Sequence, residues 1–122
     1  MEIMETPLFG GFSEEEIRHL LGCIGARERT YRPGEPLLPP GESRPHAGVL
    51  LGGGAACAAA SLVPGDFFLA EGPARPAAGP GGARAVIFRA DRARAVCGAS
   101  CRYHREMAER FDRLARAWSA SG

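Results

Sequence analysis

The chain has 122 residues, enough for one domain with a real core and too few for two. Its formal net charge of +1 argues against a broad nucleic-acid footprint, which needs a concentrated basic excess. All 15 basic residues are arginine, a bias spread evenly along the chain that fits a GC-rich coding background better than a chemical choice.

No run approaches the roughly 18 apolar residues that span a bilayer. The opening Met-Glu-Ile-Met-Glu-Thr is acidic and lacks the basic and apolar regions of a signal peptide, so a cytoplasmic chain is expected. In that compartment the 4 cysteines are expected to be buried, metal-binding or redox-active, and not paired as disulfides. The 17 glycines and 10 prolines cluster in turns between apolar segments, which suits a β domain with many corners.

Ser13 and Glu16 are spaced as a capping box, and Phe12 and Ile17 as a hydrophobic staple. With Ile17, Leu20, Leu21 and Ile24 at helical spacing, a helix is predicted over about 13–23, stopped by Gly25. Ala26 to Arg32 reads as an exposed strand, followed by a turn at Pro33-Gly34-Glu35. Pro36 to Pro39 can be only a short or edge strand, because proline supplies no ladder donor. A second turn is expected at Pro40-Gly41-Glu42. Ala47 to Leu51 is a short apolar strand ended by Gly52-Gly53-Gly54. Ala55 to Ser61 suits helix by composition, but its position between a glycine run and Pro64 suits a strand better. Ala83 to Phe88 is a further strand, Asp91 to Val96 a short helix, and Ser100 to Trp118 a long one with a frayed end beyond it. Short strands separated by turns point to a sandwich or barrel.

The stretch Leu62 to Ala77 carries the first candidate site. A Pro64-Gly65-Asp66 turn leads into Phe67 and Phe68, then into a loop with Glu71, Gly72 and Arg75. Backbone amides in such loops can converge on an anion, and an arginine adds a permanently charged fork. The plain alternative is that Arg75 and Glu71 are solvated loop residues of an arginine-rich chain. The second candidate is Cys97, Cys101 and His104, which share a face if helical and could be three ligands of a metal ion. A closed site needs a fourth, and Cys23 is the residue that could supply it. Otherwise the cysteines pack as small apolar residues and His104 faces solvent. Tyr103, Met107, Phe111, Leu114 and Trp118 form a near-heptad stripe that packs either on the chain's own β domain or on a second copy. Dimerisation is the favoured reading. No nucleophile elbow, phosphate-binding loop or acid/base pair is present in the sequence, and enzyme activity is not expected.

Taken in order, these pieces resemble the sensor domain of the Crp/Fnr family of bacterial transcription regulators. The resemblance runs over most of the chain. It is carried by Pro-Leu-Phe-Gly-Gly-Phe-Ser-Glu-Glu-Glu-Ile at 7–17, Tyr-Arg-Pro-Gly-Glu-Pro-Leu-Leu at 31–38 with Gly41-Glu42, and Val-Leu-Leu-Gly-Gly-Gly at 49–54. Leu-Val-Pro-Gly-Asp-Phe-Phe at 62–68 resembles the entry to the family's ligand loop. Cys-Ile-Gly-Ala-Arg at 23–27 and Cys-Gly-Ala-Ser-Cys-Arg-Tyr-His at 97–104 resemble one branch of it. The resemblance implies one domain over 1–122, mainly β with flanking helices. Its parts would be a helix at about 13–23, a short double-stranded β-helix (jelly roll) at about 26–89, and helices at about 91–118, the long last one a dimerisation helix.

The resemblance also implies a cyclic nucleotide as ligand, with Glu71 toward the ribose, and Arg75, Gly72 and Ala77 around the phosphate. The family's loop reads Gly-Glu and then Arg-Ser/Thr-Ala. Here Leu69-Ala70 replaces Gly-Glu and Pro76 replaces the hydroxyl residue, while the hairpin expected between Gly54 and Leu62 is short. Family members continue into a helix-turn-helix domain, so this chain is not expected to read DNA alone. The expected role is effector sensing and dimerisation in a transcription regulator. Metal- or thiol-based redox sensing and a ligand-free dimerisation module are the alternatives.

Overall fold

The computed structural model of the chain describes residues 2–38, 46–57, 60–69, 76–94 and 102–121. A 3-10 turn, Ile3–Glu5, opens the chain, followed by a loop whose Leu8 and Phe9 are fully buried. Helix α1 spans Glu14–Cys23. Both capping-box bonds are present: Ser13 N–H donates to Glu16 Oε1 at 2.8 Å, and Glu16 N–H to Ser13 Oγ at 3.2 Å. Phe12 and Ile17 join the same core cluster, as a staple requires. Gly25, at φ +64°, ends the helix in a conformation that glycine adopts without a Cβ penalty.

The strands are β1 (Arg27–Tyr31), β2 (His46–Cys57), β3 (Ala60–Leu62), β4 (Phe67–Leu69) and β5 (Ala77–Arg89). They form one antiparallel sheet in the order β1-β5-β2-β3, with β4 also paired to β2. Two predicted boundaries are corrected. The apolar strand at 47–51 does not stop at the glycine run. β2 passes through it with register shifts between Leu50/Gly52 and Gly53/Ala55. β5 likewise begins well before Ala83 and includes Pro80-Gly81-Gly82. The two glycine-rich stretches lie across from each other, where Gly53 pairs with Ala83. Gly53 (φ +72°) and Gly82 (φ +78°) take left-handed backbone there, and a Cβ on Gly53 would fall on the Gly82 carbonyl oxygen. Glycine is the residue that allows both strands to bend together.

Within Ala55 to Ser61, residues 55–57 end β2 and 60–61 begin β3, antiparallel with Ala55↔Leu62, Ala56↔Ser61 and Cys57↔Ala60. Pro36 makes only an isolated bridge to Ala77, although Leu37 and Leu38 are buried. The turn predicted at 40–42 lies outside the described residues.

Side chains alternate across the sheet, as the period of a strand requires. Ala47, Val49, Leu51, Phe67, Leu69, Val86 and Phe88 face one side and pack with α1 and the last two helices, α2 (Ala90–Arg94) and α3 (Arg102–Ser121). Leu50, Ala55, Phe68, Ala83, Ala85 and Ile87 face the other and pack with Tyr31, Leu37 and Leu38 inside the roll. Both faces are covered, which is why β2, β4 and the second half of β5 read as nearly continuous apolar runs and do not alternate with polar residues.

Candidate functional site

Glu71, Gly72 and Arg75 lie outside the described residues. The structure shows how the loop that carries them is held at its ends. On the entry side, the Pro64-Gly65-Asp66 turn is fastened to β2. Asp66 Oδ2 accepts from Val63 N–H at 2.9 Å, Gly65 N–H donates to Leu50 O at 2.7 Å, and Leu50 N–H to Asp66 O at 2.9 Å. β4 then pairs along Ala47–Val49, and Leu69, its last residue, is fully buried.

On the exit side the grip comes from the turn at Pro33-Gly34-Glu35, which has no functional mark in the sequence. Gly34 N–H donates to Ala78 O at 2.9 Å, Ala78 N–H to Glu35 O at 2.8 Å, and Leu37 N–H to Pro76 O at 3.0 Å. Glu35 Oε1 closes the turn by accepting from Arg32 N–H at 2.9 Å, and Gly34 sits at φ +79°. Ala77, the candidate that is described, is half-buried at the start of β5 and pairs with Ala56. The turn itself is legible in the sequence. That it clamps a strand more than forty positions later is a long-range fact that no local motif encodes.

Between these ends the inner wall of the roll is apolar. The Phe68 ring lies directly on Gly48, where a Cβ would overlap the ring and approach Val86 O to 2.7 Å. The Tyr31 hydroxyl donates to Leu37 O at 2.8 Å, so the wall's phenol is spent on holding the 36–38 segment. Burial pushes its pKa up; Arg29, 5.6 Å over the ring, opposes that shift, and Glu35 adds to it. Among the described residues the buried side chains of this wall are apolar apart from the Tyr31 phenol.

Of the second candidate set, Cys97 and Cys101 lie outside the described residues. His104 is 1 % exposed on the first turn of α3, so it does not face solvent. Cys23 is half-buried at the end of α1 and Cys57 is buried in β2. Among the described residues no group of three or more His, Cys, Asp or Glu is placed to hold a metal ion.

Part of the stripe on α3 is taken up by the chain's own fold. Met107 and Phe111 are fully buried against the chain's own sheet. Phe111 meets Phe67 edge-on at 5.4 Å and 84°, and Phe88 at 5.9 Å and 66°. Leu114 and Trp118 are half-buried, and Trp118 packs against the clusters on both sides of the sheet. The side chain of Tyr103 is not among those described. The described outward face of α3 carries Arg105, Glu106, Glu109, Asp112, Arg113 and Arg116, all exposed. A separate cavity of about 160 Å³ lies on the helix side of the sheet, with Leu21, Leu51 and Val86 as its floor and the Arg84–Glu28 ion pair (2.7 Å) at its edge.

A mainly antiparallel roll, covered by a short N-terminal helix and a long C-terminal one, with a gripped loop between β4 and β5, defines the class. This is the cyclic-nucleotide-binding-type fold. The chain matches the CooA regulator of Carboxydothermus hydrogenoformans (mutant form) with a TM-score of 0.60 at 18% identity, covering 98% of this chain and 85% of that one. It matches the PKAR CBD2 domain with Sp-2Cl-cAMPS bound with a TM-score of 0.64 at 15% identity, covering 96% and 82%. It also matches the N-terminal domain of a transcriptional regulator from Streptomyces coelicolor A3(2), with a TM-score of 0.60 at 15% identity, covering 98% and 91%. No family model and no curated protein matches the sequence. The likeness is therefore one of fold. Among the described residues no helix is long and apolar enough to cross a membrane.

Proposed function

We propose that the chain is an effector-binding regulatory domain that takes a cyclic nucleotide or another small anion at the 70–75 loop. Arg75 holds the phosphate or equivalent anion, Glu71 the polar end of the ligand, and Gly72 and Ala77 supply close backbone. The observation that carries this reading is the loop's setting. The segment joins β4 to β5, its flanking ends are fixed by main-chain bonds, and the fold is that of the Sp-2Cl-cAMPS-bound domain. The role follows as regulatory: ligand contacts at the loop would bias how β4 packs on α3 through Phe67 and Phe111. Control of transcription, with a second copy or another chain completing the unit, is the setting proposed for it. A homodimer along α3 would have to use its charged outer face with Leu114, Ala117 and Trp118, since Met107 and Phe111 are occupied.

The test is titration calorimetry with 3′,5′-cyclic AMP and cyclic GMP, read in parallel by the emission of Trp118, the single tryptophan. Wild type should bind one of them, and Arg75→Ala should weaken it tenfold or more, about 1.4 kcal/mol. Absence of heat and of an emission change with both nucleotides sinks the cyclic-nucleotide reading. A second reading, metal- or thiol-based sensing through Cys97, Cys101 and His104, is favoured by the burial of His104 on the inner face of α3. Elemental analysis and thiol titration of anaerobically purified protein test it, and metal-free protein with redox-insensitive thiols retires it.

A further inference from the structure

The cavity of about 160 Å³ beside α1 lies on the side of the sheet away from the roll interior. Its floor is apolar: Leu51 and Val86 come from the sheet, Leu21 from α1 and Ile3 from the opening turn. Ala26, the residue before β1, completes the lining with a small side chain that leaves the space open. Gly52 adds room at the edge. It pairs with Arg84, and a Cβ on it would meet Arg84 Nε at 3.5 Å, so the Arg84 side chain lies along space that glycine leaves. Strand alternation puts Glu28 on this same side, across from Val86, and Arg84 Nη1 pairs with Glu28 Oε1 at 2.7 Å. Arg27 alternates with Glu28 and pairs with Ile87, which faces the roll interior.

We propose that this cavity is a second small-molecule site, for an apolar α-amino acid. Close-packed domains leave few voids larger than a water, and a void of about 150 Å³ takes a benzene-sized molecule. The apolar floor therefore has room for one ring or one branched side chain. The edge decides the head group. A simple anion would suit Arg84 but lie beside Glu28 and Glu2, and a simple cation would suit the acids but lie beside Arg84. A zwitterion satisfies both, its carboxylate on the guanidinium and its ammonium on the Glu28 carboxylate. The Arg84 and Glu28 side chains are 41 % and 53 % exposed, and so open a pair contributes little to stability, so sharing it with a ligand costs little. The site is independent of the effector proposed above.

Calorimetry on the whole chain with L-leucine and L-phenylalanine tests it. Wild type should bind at least one of them, and Arg84→Gln and Glu28→Gln should each weaken that binding tenfold or more. Isocaproate and isoamylamine, which keep the leucine side chain with one charge each, should bind tenfold more weakly than leucine. Ala26→Leu fills the cavity without touching a charge and should abolish binding, whereas Arg75→Ala should leave it unchanged. Absence of heat with both amino acids at roughly millimolar concentration overturns the proposal. Unchanged affinity in the two edge variants or in Ala26→Leu also overturns it, as does equal affinity for either singly charged analogue. Loss of binding in Arg75→Ala would place the amino acid at the 70–75 loop and overturn the second site.

Discussion

The bend shared by β2 and β5 yields the sharpest stability prediction. Gly53→Ala adds one carbon at a position with φ +72°, where an L-residue costs roughly 1–2 kcal/mol. The new carbon would fall on the Gly82 carbonyl oxygen and lie 3.0 Å from Ala83 Cα and 3.1 Å from Gly82 C. All three are backbone atoms of the paired strand, so no rotamer change relieves the contact, and overpacking of this kind costs about 1–3 kcal/mol more. The sum, about 2–5 kcal/mol, is a large part of the ~5–15 kcal/mol that holds an ordinary domain. Guanidinium unfolding followed by circular dichroism should show the midpoint fall at unchanged slope, with the melting temperature down by about 10 °C or more. Gly22→Ala is the internal control. Gly22 lies in α1, where an added Cβ would meet nothing within 4 Å, so alanine should raise stability by roughly 0.5 kcal/mol. If Gly53→Ala stays within about 0.5 kcal/mol of wild type, the bend does not require glycine and the account of β2 is wrong.

Other consequences follow from the packing and the caps. Phe111→Asp should unfold the chain and not merely separate subunits, since it buries a carboxylate among Phe67, Phe88 and Met107; a folded monomer by scattering and circular dichroism would refute this. Ser13→Ala should cost about 1 kcal/mol in denaturant titration through loss of the α1 cap, and an unchanged midpoint would show that Glu16 alone suffices. The Tyr31 phenol is raised above its ordinary 10.0 by burial, so the folded state holds the proton more tightly than the unfolded one. Its contribution is full below pH 10 and is lost as pH climbs from there through the folded value. Unfolding measured in that range should lose this slope in Tyr31→Phe. An identical alkaline slope in the variant would assign it to other groups.

How much was legible divides along the distance over which each feature is encoded. The α1 cap was readable because Ser13, Glu16, Phe12 and Ile17 interact within five positions. The passage of β2 through Gly52-Gly53-Gly54 was not, because a glycine run reads as a stop unless its partner is known, and that partner lies in β5. Of the α3 stripe, Met107, Phe111, Leu114 and Trp118 pack toward the core as one face. Its spacing of fours and threes is shared by a dimer seam and by a helix lying on its own sheet, and only the fold shows that Phe111 meets Phe67 and Phe88 of its own sheet. At the candidate site, the Pro64-Gly65-Asp66 corner was visible as an architectural turn. The exit clamp was invisible because it joins Gly34 and Glu35 to Ala78 through main-chain atoms that carry no sequence signature. Arg110 looked like one more arginine on a charged face. Only the fold brings the carbonyls of Leu8 and Gly10 to it.

The two-ended grip on the 70–75 loop bears on how such a domain can change its chemistry. Its hydrogen bonds run almost entirely between main-chain atoms of neighbouring turns and strands, at Leu50, Gly65, Asp66, Gly34, Ala78 and Pro76. None of these bonds uses an atom of residues 70–75. Under the effector-binding reading proposed above, the six loop positions can change without removing any of these bonds. Grafting a loop of different length and charge between Leu69 and Pro76 would therefore keep every one of these bonds.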